Sequence, residues 1–390
     1  MPWRETSPMD QRVGFINDYL RSHWSMTELC ARYGVSRKTG YKWIDRFKAE
    51  GFHGLADRSR RPHHSPRATR SDVVEALIAA KRRHTDRGAK KLLPPLARER
   101  PDWPWPAVST ANLILKRHGL TNPQSRRRRR QPPPLCSRTE STGPNDVWTA
   151  DFKGEFRTRD GRYCYPLTIL DDHSRYLLTC RALLEPSTAA TKATFLRLFR
   201  TQGLPSVIRT DNGTPFAGPG LAGLSRLAVW WMRLGIHPER IAPGHPEQNG
   251  RHERLHRTLK EATAFPPAAS CEAQQRRFAS FRKEYNDDRP HESLGQVPPA
   301  KYYSSSPRPW PNCLPPLEYP AHFELRRADS NGCISWHTRR VFLSSVLAKE
   351  YIGLEELTTG VWDVYFGSRR LGIFNEAKLE VEGIAPVKPG

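Results

Sequence analysis

Three acidic residues stand where a carboxylate can do chemistry. Asp151 sits in the apolar run Asp146-Val147-Trp148-Thr149-Ala150-Asp151-Phe152, which reads as a strand. Asp211 ends a shorter one, Val207-Ile208-Arg209-Thr210-Asp211, broken by Asn212-Gly213. Glu253 lies one turn into a helix that follows a Gly/Pro loop. Open α/β sheets place ligands at such edges, so the three side chains can converge on one point. Three hard oxygen donors suit Mg²⁺ or Mn²⁺ and not zinc. Two such ions outweigh three carboxylates by about one positive charge, which suits a phosphodiester. A pair ~3.5–4 Å apart clamps the attacking and leaving oxygens of an in-line displacement. A lone aspartate at a strand end is equally a turn former or a cap. The assignment therefore rests on what surrounds the three.

The elements that must carry them alternate from about residue 144. Residues 163–171 and 176–182 read as strands joined by Asp172-His173-Ser174-Arg175, a turn-forming cluster. Asp171 and Asp172 are expected to hold that turn through side-chain-to-backbone hydrogen bonds. Apolar spacing predicts helices over 188–201, 221–234, 250–264 and 278–285. Strands first, with crossover helices between them, imply a mixed sheet flanked by helices. Residues 301–320, rich in Pro and Ser, read as a linker. Short strands at 333–336, 340–343, 351–354 and 362–366 follow at regular intervals and suggest a small β-barrel.

The front of the chain is helical and basic. The 390 residues carry 63 Lys and Arg against 40 Asp and Glu, a net charge of +23. Residues 1–135 hold 29 basic and 12 acidic side chains, so most of the surplus lies there, and it points to a polyanionic partner. Val13, Ile16 and Leu20 recur at helical spacing. Ser25 and Glu28 form a capping box for a second helix with Leu29, Cys30 and Tyr33 inward. Gly34 takes the left-handed turn, and Ser36 caps a third helix over 37–48 with Tyr41, Ile44 and Phe47 inward. Two short helices around Gly34-Val35-Ser36 make a helix-turn-helix, whose second helix enters the DNA major groove and presents Arg37, Lys38, Thr39 and Lys42. The alternative is a helical hairpin with a solvated basic face. Three further helices between 70 and 122 are either a second DNA-binding unit or a packing domain. Arg126 to Arg130 and Pro132 to Pro134 close the region as a stiff basic linker that either tracks phosphates or is simply solvated.

Several classes are excluded. No apolar run reaches the ~18–20 residues of a membrane span, and the first ten residues have no apolar signal core. Seven scattered cysteines (30, 136, 164, 180, 271, 313 and 333) form no CxxC pair and read as reduced thiols of a cytoplasmic protein. The expected domains are 1–56, 70–122, a linker at 123–139, a core over 140–300 and a β-barrel over 320–383.

The motifs form an ordered series. It runs Trp148-Thr149-Ala150-Asp151, Leu170-Asp171-Asp172-His173-Ser174-Arg175, Thr210-Asp211-Asn212-Gly213, and Gly244-His245-Pro246-Glu247-Gln248-Asn249-Gly250-Arg251-His252-Glu253-Arg254. Tyr285-Asn286 and Arg289-Pro290-His291-Glu292-Ser293-Leu294 complete it. The series resembles the integrase core of bacterial insertion-sequence transposases, the D,D,E group related to retroviral integrases, over roughly 140–300. The resemblance implies a ribonuclease H-like fold and two Mg²⁺ or Mn²⁺ ions held by Asp151, Asp211 and Glu253. It also implies cleavage at the inverted repeats of a mobile element, then attack of the freed 3′-hydroxyl on target DNA. Forty-one residues separate Asp211 from Glu253, whereas Glu247 falls at the family's 35. The Pro-x-x-x-Gly-x-x-Glu pattern of the family selects Glu253, through Pro246 and Gly250. Arg257 and Lys260 share the Glu253 face, where family members hold DNA, although a solvated face is the alternative. The partners so implied are double-stranded DNA and further copies of the chain, in a bacterial, nucleoid-associated setting. The rival is a regulatory DNA-binding protein without catalysis.

Overall fold

The computed structural model of the chain describes residues 7–59, 68–121, 139–218, 220–241 and 250–383. It divides into two compact units, 1–70 and 71–390.

The first unit contains α1 (Pro8–Leu20), α2 (Met26–Arg32) and α3 (Arg37–Glu50), followed by a 3-10 turn, Gly51–Leu55. Ser7 with Asp10 and Ser25 with Glu28 form reciprocal capping boxes, satisfying amides that a helix start leaves free. Phe15, Ile16, Leu29, Cys30, Trp43, Ile44 and Leu55 make the core. Two inward expectations fail. Tyr41 is 54% exposed and Trp43 takes its place, while Leu20 also faces water. The reason is Gly40, where α3 meets α2: a Cβ there would lie 2.7 Å from Cys30 Sγ and 2.8 Å from Met26 Cε. With position 40 facing α2, positions 43, 44 and 47 share its face and 41 is turned away. We expect Gly40→Val to cost about 1–3 kcal/mol by overpacking. Hydrogen exchange should show the α2 and α3 amides less protected, with residues 71–390 unaffected.

The second unit opens with α4 (Ser71–Arg83), α5 (Ala89–Glu99) and α6 (Val108–Arg117), packed around Leu77, Leu92, Leu93, Ala111, Ile114 and Leu115. Next come β1 (Val147–Phe152), β2 (Phe156–Arg157), β3 (Tyr163–Asp171), β4 (Leu177–Leu183), α7 (Thr188–Gln202) and β5 (Val207–Thr210). α8 (Arg226–Arg233), β6 (His237–Arg240), α9 (Gly250–Thr263) and α10 (Cys271–Asp287) complete the core. β1 is central. It runs antiparallel to β3 and parallel to β5; β4 and β6 flank them, and β2 pairs with the start of β3.

Strand alternation assigns the two faces. Trp148, Ala150, Leu167, Ile169 and Ile208 pack on one side with Phe195 and Phe199 of α7 and Leu227, Trp230 and Trp231 of α8. Cys164, Leu170, Leu177 and Cys180 pack on the other with Leu255 and Leu259 of α9 and Phe278, Phe281 and Tyr285 of α10. The helix expected over 221–234 begins only at Arg226, because Ser225 caps it and 221–223 is a separate 3-10 turn. The stretch 301–320 is no free linker. Tyr303 stacks on Tyr176 with ring centroids 4.3 Å apart, Ser306 N–H donates to Gln202 O, and Leu204 N–H donates to Arg308 O.

The tail contains β7 (Glu324–Arg327), β8 (Cys333–Trp336), β9 (Arg339–Phe342), β10 (Tyr351–Thr358), β11 (Val361–Phe366), β12 (Arg369–Asn375) and β13 (Glu380–Gly383). It is not the expected barrel. Five strands form an open antiparallel sheet, β13-β12-β11-β10-β7, beside a β8-β9 hairpin. A barrel closes to cover its own apolar face. Here that face is covered instead by the hairpin residues Ile334, Trp336 and Val341 and by Leu224, Ala228 and Val229 on and beside α8. The tail thus shares a core with α8.

Candidate active site

Asp151 is the second-last residue of β1, and Asp211 directly follows β5. In the parallel register Ala150 pairs with Thr210, so the two aspartates leave neighbouring strands at the same carboxyl edge. Alternation turns Trp148 and Ala150 toward α7 and α8, and Asp151 toward α9. The contacts agree. His256 Nδ1 of α9 lies 3.9 Å from Asp151 Oδ2, and His256 Nε2 lies 2.7 Å from Thr168 Oγ1. The Thr168 hydroxyl donates to Asp151 O at 3.1 Å, which leaves it to accept from His256 Nε2–H. Burial, with His252 and Lys153 nearby, drives the His256 pKa down to about 2, so the ring is neutral. The buried face of α9 is His252, Leu255, His256, Leu259 and Thr263. Glu253, Arg254, Arg257 and Lys260 are on its exposed face.

The first turn of α9 is anchored by charge. Asp172, almost fully buried, pairs with Arg251 of α9, with Arg209 of β5 at 3.7 Å and with Arg175 at 3.5 Å. Arg209 Nε in turn meets Glu239 of β6 at 2.7 Å. One carboxylate thus ties together the β3–β4 turn, β5 and the helix carrying Glu253. Within the turn Asp171 accepts from Asn145 N, Ser174 N and Ser174 Oγ at 2.8, 2.8 and 2.5 Å. Asp172 departs from the expected turn role, because its side chain pairs with Arg209 and Arg251 from distant segments as well as with Arg175 of the turn.

Asp211 fits a cation. Its pKa is raised by burial, partly offset by a hydrogen bond from Gly213 N–H at 3.1 Å. Among the described residues no cationic side chain pairs with it. A desolvated carboxylate of this kind gains most from a hard metal ion. The three carboxylates do not gather within 4.8 Å of one another. Among the described residues that distance is met only by His84, Glu284 and Asp288, whose two carboxylates already hold Arg87 at 2.9 and 2.7 Å. Pro246, Glu247 and Asn249, and the basic run Arg126 to Arg130, lie outside the described residues.

The other expected residues fall on exposed helix faces. Arg37, Lys38 and Lys42 project from α3, with Lys42 Nζ 4.7 Å above the Trp43 ring. Thr39 is half-buried and its hydroxyl lies 2.9 Å from the capping Ser36 Oγ. Lys260 Nζ lies 5.3 Å from the Phe265 ring centroid. Sequence reasoning missed His256, Thr168 and Arg251. Periodicity could have found the first, since His252 and His256 alternate with Leu255 and Leu259 on one apolar face. No helix among the described residues is long and apolar enough to cross a membrane.

Residues 141–246 and 234–299 match two family models, each described as an integrase core domain. Residues 9–84 match the leucine-zipper of insertion element IS481. An uncharacterized 39.2 kDa protein of insertion element IS476 from Xanthomonas euvesicatoria is 29% identical over 181 residues, 45% of this chain and 50% of its own length. An uncharacterized 31.7 kDa protein of insertion element IS407 from Burkholderia multivorans is 26% identical over 163 residues, 41% and 55% of the two chains. The chain thus spans about half the length of the curated relatives it matches. Among solved structures, the HTLV-2 integrase catalytic core domain in complex with magnesium aligns at 15% identity with a TM-score of 0.34, covering 42% of this chain and all of that one.

Proposed function

We propose that this chain, which carries integrase-core sequence and resembles insertion-element proteins, is a D,D,E-type DNA transposase. It binds the terminal inverted repeats of a mobile element, cuts DNA at their 3′ ends and joins the freed 3′-hydroxyl to target DNA. One juxtaposition supports this most. The parallel register sets Asp151 beside Asp211, and α9, tied to the same edge through His256 and Arg251, carries Glu253 in its first turn.

In this reading Asp151, Asp211 and Glu253 hold two Mg²⁺ or Mn²⁺ ions, which supply an activated attacking oxygen and a stabilised leaving oxygen. The chain's own groups orient and bind. The Asp172 cluster fixes the start of α9, and neutral His256 ties α9 to Thr168, whose hydroxyl donates to Asp151 O, without adding charge beside the Asp151 carboxylate. Arg257 and Lys260, on the Glu253 face, meet phosphates. Arg37, Lys38, Thr39 and Lys42 of α3 read the element ends in the major groove. No covalent protein intermediate is needed. Two ends must be handled together, so the working form is a homo-oligomer on DNA, acting at the bacterial nucleoid.

The test is incubation of the purified chain with Mg²⁺, an end-containing duplex and a target plasmid. Branched joint products are expected on sequencing gels. Cleavage without joining would leave a nuclease, and binding without cleavage would leave a regulatory protein.

A further inference from the structure

α3 turns a face to solvent on which Arg37, Lys38, Tyr41, Lys42, Asp45 and Lys48 are exposed, away from the core residues Gly40, Trp43 and Ile44. The Ser36 cap, the close approach at Gly40 and the Arg12 guanidinium 4.1 Å from the Trp43 ring centroid hold the helix in place, so the face is preformed.

One side chain on that face is out of keeping with the rest. Of the carboxylates among residues 7–59, Asp10 and Glu28 close capping boxes, and Asp18 accepts from the Tyr33 hydroxyl at 2.9 Å. Glu50 and Asp57 pair with Arg58 and Arg12. Asp45 alone has no hydrogen bond or ion pair with a described residue. Cations are within helical reach, since Lys42 and Lys48 lie three residues to either side. Lys42 Nζ and the Arg46 guanidinium instead lie 4.7 and 5.0 Å from the Trp43 ring centroid. Tyr41, one turn before Asp45, is exposed and likewise has no hydrogen bond or ring contact among the described residues. The two share one stripe of the helix, about 5–6 Å apart at Cβ.

Phosphates repel a bare carboxylate on a helix that enters DNA, so the group must face a donor to be tolerated there. The donors of the major groove are the amino groups of cytosine and adenine. Adenine sets its amino group beside N7, an acceptor that repels a carboxylate, whereas cytosine sets its own beside a C–H edge. An exposed ring one turn away suits the C5-methyl of thymine. We propose that Asp45 and Tyr41 are a base-selecting pair, Asp45 accepting from the amino group of a cytosine and the Tyr41 ring packing on the methyl of a neighbouring thymine. The inference rests on reading α3 as the helix that enters the major groove, and it names bases which that helix selects. Arg37, Lys38 and Lys42 around the pair add an attraction to phosphate that is alike for all sequences.

The test is selection from a random-sequence duplex library by the full chain, its D45A variant and its Y41A variant, followed by anisotropy on the selected duplex at fixed salt. The parent chain should enrich a motif from which D45A loses one cytosine and keeps the rest. Changing that cytosine should weaken the parent chain on the order of tenfold and leave D45A unmoved. Replacing the neighbouring thymine by uracil, which lacks the methyl, should weaken the parent chain and leave Y41A unmoved. D45A should also bind random duplex at least as tightly as the parent chain, because a charge that phosphates repel has gone; this shows that the variant is folded. If Asp45 is merely a solvated acid, D45A enriches the parent motif and binds it more tightly, which overturns its role. A Y41A variant that still tells thymine from uracil overturns the role of the ring. A motif that survives both substitutions sinks the pair alone, whereas a parent chain that enriches no motif sinks the groove-reading role of α3 with it.

Discussion

Replacing Asp211 with asparagine should abolish Mg²⁺-dependent strand transfer while leaving the metal-free protein at least as stable. A metal clamp supplies several kcal/mol of transition-state stabilisation. At about 1.4 kcal/mol per tenfold, the loss is on the order of 10³-fold. The stability half follows from the raised pKa. Asp211 is desolvated and has no cationic partner among the described residues, so folding favours its protonated form. A carboxyl whose folded pKa lies above its ordinary 3.8 adds its stability fully below that value and loses it as pH rises through the folded pKa. At neutral pH the ionised group is therefore a liability, and a neutral amide of the same shape removes it. Adding Mg²⁺ should raise the melting temperature of the parent chain by mass action and leave Asp211→Asn where it was. Full transfer by the variant, or a metal-dependent shift that survives the substitution, would remove Asp211 from the metal site.

Much of this architecture is legible in the chain, and the misses have physical causes. β3 runs from Tyr163 to Asp171 as expected, because a mostly apolar run bounded by turn formers marks a strand buried on both faces. β2 escapes a reading by pattern because two residues show no period, and β6 because His237-Pro238-Glu239-Arg240 is polar and carries a proline. In the first unit Ile44 and Phe47 of α3 face the core as expected, but Tyr41 faces water and Trp43 packs in its stead. A glycine with no side chain decides which way the helix turns, and hydrophobicity cannot reveal that. The tail strands are visible but their closure is not, because the surface that covers them comes from α8, about a hundred residues earlier. The positions of Asp151 and Asp211 at the carboxyl edge are readable from where apolar runs end. The roles of Asp172 and His256 are not. Each is defined by partners brought in from other segments: Arg209 and Arg251 for one, Thr168 and Asp151 for the other.

That dependence on distant partners makes Asp172 the most consequential residue outside the trio, and Asp172→Asn should damage stability and activity together. Its carboxylate is almost completely buried among Arg175, Arg209 and Arg251. Removing one member of a buried ion cluster costs ~3–5 kcal/mol, because the remaining charges lose their compensation. Arg209 keeps Glu239 at 2.7 Å and Arg251 is partly exposed, so the lower end, about 3 kcal/mol, is expected. For a cooperative unit as long as 71–390 that is a fall in melting temperature of roughly 4–5 °C. The expectation is opposite in sign to that for Asp211→Asn, although both changes turn an aspartate near one sheet edge into its amide. One carboxylate is buried with its cations, and the other is half-buried with none among the described residues. Activity should fall further than unfolding explains, since Arg251 is the charged tie between the sheet edge and the turn that carries Glu253. Strand transfer measured well below the melting transition checks this. A variant that transfers at the parent rate there would show that Glu253 is positioned by the packing of Leu255 and Leu259 instead of by charge.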